Sequence, residues 1–263
     1  MTTRSLREAL STGRPLLGAW LQMPNPIAAE AVGHLGFDWV GIDTQHGLIG
    51  YETMLSMLQA TAVTGTPAVV RVSGNIPGEI GRALDSGAQG VIVPLVETAE
   101  AAAWAADACR YPPRGHRSWG ALRPALESVP YTPRIGDEQA VCFAMVETVA
   151  GVENIEAIAA VDGVDVVYIG PSDLASSAGL PPMLALQDDS HRELVERIAS
   201  ACGTAGTWSG IHPPTPDIAW YRDKGFNLLP VYRDLPALQE GALAAINVAR
   251  ASAGLQQATD ERT

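Results

Sequence analysis

The chain has 263 residues, a formal net charge of −12 and 47% hydrophobic residues. Its length suits one large α/β barrel, for which about 250 residues is typical, although length alone also allows two small domains. The acidic balance argues against nucleic acid and anionic membrane as partners, because phosphate-binding surfaces need clustered Lys and Arg. A small anionic substrate remains compatible with it, since such a ligand needs only a local positive site.

The first residues, MTTRSLREALSTGRP, lack the apolar stretch of a signal peptide, and no run of about 18 apolar residues follows. We therefore expect a soluble cytoplasmic protein. Cys109, Cys142 and Cys202 are odd in number and widely separated. Their spacing fits neither a disulfide nor a metal cage, so we predict buried core thiols.

Short apolar runs alternate with longer helical stretches along the whole chain. The predicted strands are 16–22, 38–43, 67–72, 89–96, 141–147, 165–170, 207–211 and 226–232. The predicted helices lie near 25–35, 51–63, 77–86, 98–109, 149–160, 190–203, 215–224 and 235–252. Alternation predicts a parallel sheet with right-handed crossovers, and eight units predict closure into a (β/α)8 TIM barrel.

The strand runs are apolar throughout, as expected for strands covered on both faces. The alternative is a doubly wound open sheet, but no Gly-rich phosphate fingerprint follows the first strand. We assign residues 1–263 to a single barrel domain and expect the tail from about 253 to 263 to be disordered.

Residues 110–140 interrupt the rhythm with a long stretch rich in Pro and Arg. Segments of this length without periodicity are usually functional loops. Two interpretations stay open: a solvated or subunit-contact loop, and a loop that helps to bind an anion.

Ionisable side chains occur where several predicted strands end, which is the end of a barrel that carries chemistry. They are Asp43, Arg71, Glu147, Asp173 and, after the seventh strand, His212. Glu147 and Asp173 follow consecutive strands and should stand side by side, where two carboxylates repel unless a cation lies between them. Oxygen ligands without nearby Cys or His favour Mg²⁺, Mn²⁺ or a similar hard ion. The alternative is that Glu147 forms a salt bridge and Asp173 caps a short helix.

His46 follows Asp43 by three residues, and a carboxylate near an imidazole fixes its tautomer and raises its basicity, as a general base requires. Arg71 would be a costly buried cation unless it meets an anion, and its fork suits a carboxylate or enolate oxygen. For His212, structural and substrate-contact roles are both open. We assign no chemistry to the remaining histidines, which are His34, His116 and His191.

Several segments together resemble the HpcH/HpaI family of class II pyruvate aldolases, in the same order and over roughly residues 14–250. They are GFDWVGIDTQHG, PAVVRV, the stretch 87–101, RYPPRGHRS, MVET and YIGPSDLA. The resemblance implies a TIM barrel whose last helix is exchanged between paired subunits, with the pairs assembled into hexamers as trimers of dimers. It also implies a divalent metal ion, Mg²⁺, Mn²⁺ or Co²⁺, held by Glu147 and Asp173.

The resemblance further implies that His46 and Asp43 form the acid–base pair and that Arg71 holds the keto or enolate oxygen. Backbone near Gly170, Pro171 and Ser172 corresponds to the place where the family binds the pyruvyl carboxylate. The expected reaction cleaves a 4-hydroxy-2-oxo acid into pyruvate and an aldehyde, and the reverse aldol addition.

Three departures from the family pattern bear on the substrate. Gln45 replaces a common Glu, Met145 replaces a common Gln, and the eighth strand ends in an unusual Pro230–Asp234 segment. Gln45 and Met145 motivate one alternative, a catalytically weak protein that binds metal and oxo acids. A second alternative is an acyl-CoA C–C lyase of a related barrel family, for which the Arg-rich segment 110–134 is the candidate CoA-binding region. A Schiff-base aldolase is disfavoured, because the chain's one lysine, Lys224, lies near a predicted helix end.

Overall fold

The computed structural model describes residues 5–127, 130–182, 187–212 and 217–259. Parallel strands close into a barrel in the order β1 to β8. The strands are β1 Leu16–Leu21, β2 Trp39–Asp43, β3 Ala68–Arg71, β4 Gly90–Val93, β5 Val141–Val146, β6 Val166–Ile169, β7 Trp208–Ile211 and β8 Leu228–Arg233. The predicted TIM barrel is therefore confirmed, and each predicted strand is present within one or two residues of its predicted ends, except that β4 ends three residues earlier than predicted.

Helices cover the outside of the barrel between the strands. In the described residues they are α1 Leu6–Ser11, α2 Pro26–Gly33, α3 Tyr51–Thr64, α4 Pro77–Asp85, α5 Ala99–Cys109, α6 Pro124–Glu127, α7 Pro133–Gln139, α8 Val149–Glu153, α9 Ile155–Ala159, α10 Pro171–Ser177, α11 Asp189–Ala205, α12 Ile218–Asp223 and α13 Asp234–Ser252. The four that sequence reasoning missed are α1, α6, α7 and α10, all of seven residues or fewer, too short to show a helical period.

The short helix α1 closes the amino-terminal end of the barrel. Its Leu6 and Leu10 are buried in the cluster of side chains that fills the barrel interior. Its Arg7 donates two hydrogen bonds to the carboxylate of Asp165, at 2.7 and 2.9 Å, just before β6 begins. The opposite end of the barrel, where the strands terminate, is left for chemistry.

Large aromatic side chains inside the barrel are accommodated by glycines on the neighbouring strand. A Cβ at Gly41 would collide with the ring of Trp20, and one at Gly210 would collide with the ring of Tyr168. Because an alanine at either place would displace an indole or phenol ring, these glycines set the positions of both aromatics. Trp20 and Tyr168 form the floor beneath the strand ends.

The Arg-rich segment 110–140 lies at the amino-terminal end of the barrel, away from the strand ends that carry the candidate site. Arg117 pairs with Asp85 ahead of β4, at 2.7 Å, and Arg110 pairs with Asp162 ahead of β6, at 2.7 Å. These ion pairs favour the structural interpretation of the segment over the anion-binding one.

Helix α13 projects from the end of β8, and among its residues Asp234 alone is buried. Apolar side chains along it are exposed, including Leu238 and Val248. The side chain of Asn247, within α13, exchanges hydrogen bonds at 2.7 and 3.1 Å with the backbone of Ala258, which lies after the helix. The described tail residues, 253–259, therefore fold back on α13, and residues 260–263 lie outside the described part.

The three cysteines are free and buried. This confirms the expectation of core thiols.

Candidate active site

Asp43 and Arg71 end neighbouring strands and form a buried ion pair. They are register partners in the β2–β3 ladder, so both side chains leave the sheet on the same face. Arg71 donates from Nε to Oδ1 of Asp43 at 2.9 Å and from Nη2 to Oδ2 at 2.6 Å. This two-pronged contact supplies the anion that a buried Arg71 requires.

Further donors surround the Asp43 carboxylate. The indole of Trp20 donates to Oδ2 at 3.3 Å, and the amide of Gln22 donates to the same oxygen at 3.0 Å. The backbone N–H groups of Gln45 and His46 both donate to Oδ1 at 3.1 Å. Asp43 therefore organises both the end of β1 and the loop that follows β2.

This environment holds Asp43 in its ionised form. Burial alone would raise the pKa of Asp43, but the hydrogen bonds and charge of Arg71 outweigh burial and lower it below its usual value. A carboxylate that stays ionised at neutral pH positions other groups and does not carry a proton there.

The structure corrects one expected contact. The Asp43 carboxylate does not orient the imidazole of His46; it meets His46 through the backbone N–H alone. The ring of His46 is exposed and makes no hydrogen bond within the described residues. Its loop approaches β2 closely at Gly47, where a Cβ would collide with the carbonyl oxygen of Asp43.

Glu147 and Asp173 approach each other across the ends of β5 and β6. Glu147 is 2% exposed and accepts a hydrogen bond at 2.8 Å from the backbone N–H of Leu95. Burial, together with the charge of Asp173 and a hydrogen bond with its side chain, raises the pKa of Glu147 from its ordinary value of 4.5 to about 7, against the opposing effects of the Leu95 N–H and the charge of Arg71. A carboxylate that is influenced in this way by the charge and hydrogen bond of another is its close neighbour.

Glycine and strained backbone shape the surroundings of Glu147. A Cβ at Gly170 would collide with the Glu147 carboxylate and with the methyl group of Met145, so only glycine fits there. Leu95 adopts a left-handed backbone conformation, with φ 55°, which costs about 1 kcal/mol for a residue with a side chain. The strained conformation directs its N–H at Glu147, a relationship that sequence reasoning missed.

Asp173 lies in the first turn of α10 and is exposed. Gly170 is the N-cap of this helix, and no side chain caps it, so the alternative role of Asp173 as a cap is not observed. The start of α10 is held by buried His191, whose Nε2 lies 3.0 Å from the carbonyl oxygen of Pro171. His191, to which we assigned no chemistry, therefore positions the turn that carries Asp173.

The backbone near 170–172 is only partly available to a ligand. The N–H of Gly170 donates to Val146 at 3.3 Å, and Pro171 has no N–H. Of the three predicted positions, Ser172 alone retains a backbone N–H without a partner in the described residues, and its side chain is exposed.

The donor set around Glu147 suits a hard divalent cation. It offers two carboxylates. In the loop after β2, the side-chain oxygen of Gln45 is buried without a hydrogen-bond partner among the described residues. Within the described ranges, no group of three or more His, Cys, Asp or Glu side chains is assembled for a metal. A site built on two carboxylates leaves its other coordination positions to small ligands.

His212 follows β7 and faces the aromatic floor. Its Nδ1 lies 2.9 Å from the hydroxyl of Tyr168, and its ring meets Trp20 edge-on at 4.4 Å between centroids. Burial, together with the charges of Arg71 and Arg233, lowers the pKa of His212 to about 3, against the opposing charge of Asp43. His212 is therefore neutral at physiological pH.

Met145 is buried in the barrel interior at 3% exposure, with its methyl group beside Gly170. Its side chain forms an apolar surface on the side of the site that faces the barrel interior. Trp20, Gln22, Leu95, Tyr168 and Arg233 also belong to this neighbourhood, although sequence reasoning did not select them. For Gln22 a signal was available, because it directly follows the first strand.

A closed parallel barrel with carboxylates, an arginine and histidines at its strand ends is the architecture of a barrel enzyme. Comparison with known proteins gives the particular family. The model of the HpcH/HpaI aldolase/citrate lyase family matches residues 16–229. The chain therefore belongs to the HpcH/HpaI aldolase/citrate lyase family, as the motifs predicted.

Individual relatives resemble the chain over most of its length. A hydroxypyruvate/pyruvate aldolase of Rhizorhabdus wittichii is 36% identical, covering 94% of this chain and 98% of the relative. A 4-hydroxy-2-oxovalerate aldolase of Rhodococcus jostii is 37% identical, covering 92% and 95%. The crystal structure of an HpcH/HpaI family protein from Burkholderia cenocepacia superimposes with a TM-score of 0.85 at 31% identity, covering 93% and 98%. In the described part of this chain, no helix is both long and apolar enough to cross a membrane.

Proposed function

We propose that this protein is a divalent-metal-dependent class II pyruvate aldolase. It cleaves 4-hydroxy-2-oxo acids to pyruvate and an aldehyde, and it catalyses the reverse aldol addition. The observation that carries the proposal is the approach of Glu147 and Asp173 at the same barrel end as the Asp43–Arg71 pair. The aldolase names of relatives that cover nearly the whole chain support it.

Glu147 and Asp173 would hold the divalent ion, Mg²⁺, Mn²⁺ or Co²⁺. When bound, the ion supplies positive charge that polarises the 2-keto group of the oxo acid and stabilises enolate charge. Metal dependence is a property of the family, and the identity of the ion is part of the proposal.

Arg71 binds the keto oxygen of the substrate and the enolate oxygen that develops from it. Its Nε and Nη2 are committed to Asp43, whereas Nη1 has no acceptor among the described residues. A guanidinium held rigidly by a carboxylate is preorganised for charge that appears in the transition state. Asp43 is thus a positioning residue that acts through Arg71.

His46 removes the proton of the substrate's C4 hydroxyl group. Its exposed ring at the barrel mouth is accessible to that proton. The C3–C4 bond breaks as C4 becomes the aldehyde carbonyl carbon, and the bonding electrons form the C2–C3 enolate. Protonation at C3 then yields pyruvate. The N–H of Ser172 would bind the pyruvyl carboxylate, and its lack of a backbone partner among the described residues supports this role.

A covalent route through a Schiff base has no support. Lys224 caps the carboxyl end of α12, ahead of β8, and its ammonium group lies 2.9 Å from the Glu196 carboxylate. This position is at the opposite end of the barrel from the strand ends.

The arginines that an acyl-CoA substrate would need lie in the segment 110–134. Four of its five arginines, Arg110, Arg117, Arg123 and Arg134, pair with acidic side chains. We therefore favour the aldolase over the CoA-dependent lyase.

Proton exchange tests the proposed function without knowledge of the aldehyde. Metal-loaded protein is incubated with pyruvate in deuterated water, and the pyruvate methyl signal is followed by NMR. The proposal expects loss of the methyl signal with Mg²⁺, Mn²⁺ or Co²⁺ and its persistence with Glu147→Ala protein. Persistence of the signal with wild-type protein and every one of these ions would overturn it.

We further propose a homo-oligomer in which α13 packs against a second subunit, in hexamers built as trimers of dimers. The exposed apolar side chains of α13, among them Leu238, Ile246 and Val248, support this assembly. Light scattering after size-exclusion chromatography tests it, and a monomeric mass would overturn it.

A further inference from the structure

The floor of the candidate site continues from His212 to the end of β8, where Arg233 stands. Arg233 is the register partner of Trp20 in the β8–β1 ladder, so its side chain leaves the sheet on the face that carries Trp20. Its charge contributes to the lowered pKa of His212, which places the two side chains near each other. Arg233 is exposed and has no acidic partner within the described residues.

Beside Trp20, His212 offers a hydrogen-bond donor, the N–H at Nε2. Tyr168 is completely buried, and burial raises its pKa, so its hydroxyl keeps its proton and needs an acceptor. The acceptor 2.9 Å away is Nδ1 of His212. A neutral imidazole that accepts at Nδ1 carries its proton on Nε2, and this N–H has no partner in the described residues.

These side chains cluster beside Arg71 at the end of the barrel. The guanidinium of Arg71 lies 5.2 Å from the ring centroid of Trp20, and the ring of His212 lies 4.4 Å from it on another side. Because the Asp43 carboxylate pairs with Arg71, the groups of this cluster that lack a partner among the described residues are the cation of Arg233 and the neutral donor of His212. A ligand group that accepts hydrogen bonds and carries negative charge matches that combination.

We propose that Arg233 and the Nε2–H of His212 form a subsite for a carboxylate on the aldehyde component. This inference rests on the proposed aldolase function and extends it to the substrate class. The protein then combines pyruvate with carboxylate-bearing aldehydes in preference to neutral aldehydes of the same length. Arg233 is a specificity-determining residue, and Tyr168 is a positioning residue that fixes the tautomer of His212.

Aldehydes matched in carbon number test the subsite. With pyruvate as the second substrate, kcat/KM is measured for glyoxylate against acetaldehyde and for succinic semialdehyde against butanal. We expect the carboxylate-bearing member to be favoured in at least one pair by about tenfold or more, the effect of one charge-assisted contact. Arg233→Gln should remove about tenfold of that preference, chiefly through KM of the anionic aldehyde, and Arg233→Lys should restore most of it.

Two further variants complete the design. Arg134→Gln makes the same change at the other end of the barrel and should keep the wild-type preference. His212→Phe keeps a ring against Trp20 but removes the donor, and it should lower the preference by a smaller factor. An unchanged preference in Arg233→Gln, or no preference in the wild type, would overturn the subsite. Failure of pyruvate proton exchange in the wild type would instead overturn the proposed function.

Discussion

Arg71 contacts both carboxylate oxygens of Asp43, at 2.9 Å from Nε and 2.6 Å from Nη2, inside the mouth of the barrel. Both side chains are nearly inaccessible to solvent, at 7% and 0% exposure. Each charge therefore depends on the other for its stability. The pair also leaves one nitrogen of Arg71, Nη1, for a ligand. The same contact therefore stabilises the fold and positions the guanidinium for its proposed role.

Asp43→Asn should destabilise the fold strongly, because it leaves the Arg71 charge buried without its anion. Breaking a buried ion pair from one side typically costs about 3–5 kcal/mol in the free energy of unfolding. Urea denaturation monitored by circular dichroism measures it. Glu138→Gln breaks the exposed pair with Arg134 and should cost less than about 1 kcal/mol. Equal costs in the two variants would contradict the assignment of a buried pair.

His46→Ala should leave stability unchanged while it removes catalysis. The ring is exposed and unbonded in the described residues, so the free energy of unfolding should change by no more than about 0.5 kcal/mol. Loss of a general base should lower kcat of the retro-aldol reaction by about 100-fold or more. His34→Ala, at an exposed helix end, serves as the matched control and should keep full activity. A kcat within a few-fold of wild type would exclude His46 as the base.

Glu147→Gln should stabilise the metal-free protein at alkaline pH. Glu147 has a folded-state pKa near 7 against an ordinary value of 4.5, so the folded state binds the proton more tightly than the unfolded state. Stability is then greatest below pH 4.5 and falls as pH rises to about 7, by about 3 kcal/mol in total. The variant lacks this loss, so in EDTA its advantage over wild type should appear between pH 5 and 8. An advantage independent of pH would show that burial does not perturb this carboxyl.

Arg117→Gln tests the role of the segment 110–140. Arg117 is buried, pairs with Asp85 and stacks on Tyr111, so its loss should cost about 2 kcal/mol or more of folding stability. Because the segment lies at the other end of the barrel, KM for the oxo acid should not change. A large rise in KM with little loss of stability would revive the anion-binding interpretation.

The barrel could be predicted from the sequence because eight apolar runs alternate with helical stretches. Each run is apolar throughout because the strand it forms is covered on both faces. The pattern failed for α1 and α10, whose six and seven residues are too few to show a period. Residues 110–140 were recognised as unusual from the sequence. The structural role of their arginines could not be predicted, because their acidic partners, such as Asp85 and Asp162, are distant in sequence.

The candidate site could be predicted from the sequence only in so far as its residues follow the ends of predicted strands. This rule selected Asp43, Arg71 and Glu147, but it could not say which partner each side chain meets. Sequence proximity suggested that Asp43 orients His46, whereas strand register pairs it with Arg71. The contribution of Leu95 depends on a backbone conformation that leucine rarely adopts and that local sequence did not reveal.

The shared cation of Glu147 and Asp173 is the central claim, and direct Mn²⁺ binding tests it most closely. Free Mn²⁺ is titrated by electron paramagnetic resonance against wild type, Glu147→Gln and Asp173→Asn, with circular dichroism to verify that each variant is folded. We predict one Mn²⁺ per chain in the wild type and binding weakened by about tenfold or more in both variants, since each loses one carboxylate ligand. Unchanged Mn²⁺ affinity and stoichiometry in the two folded variants would contradict the account.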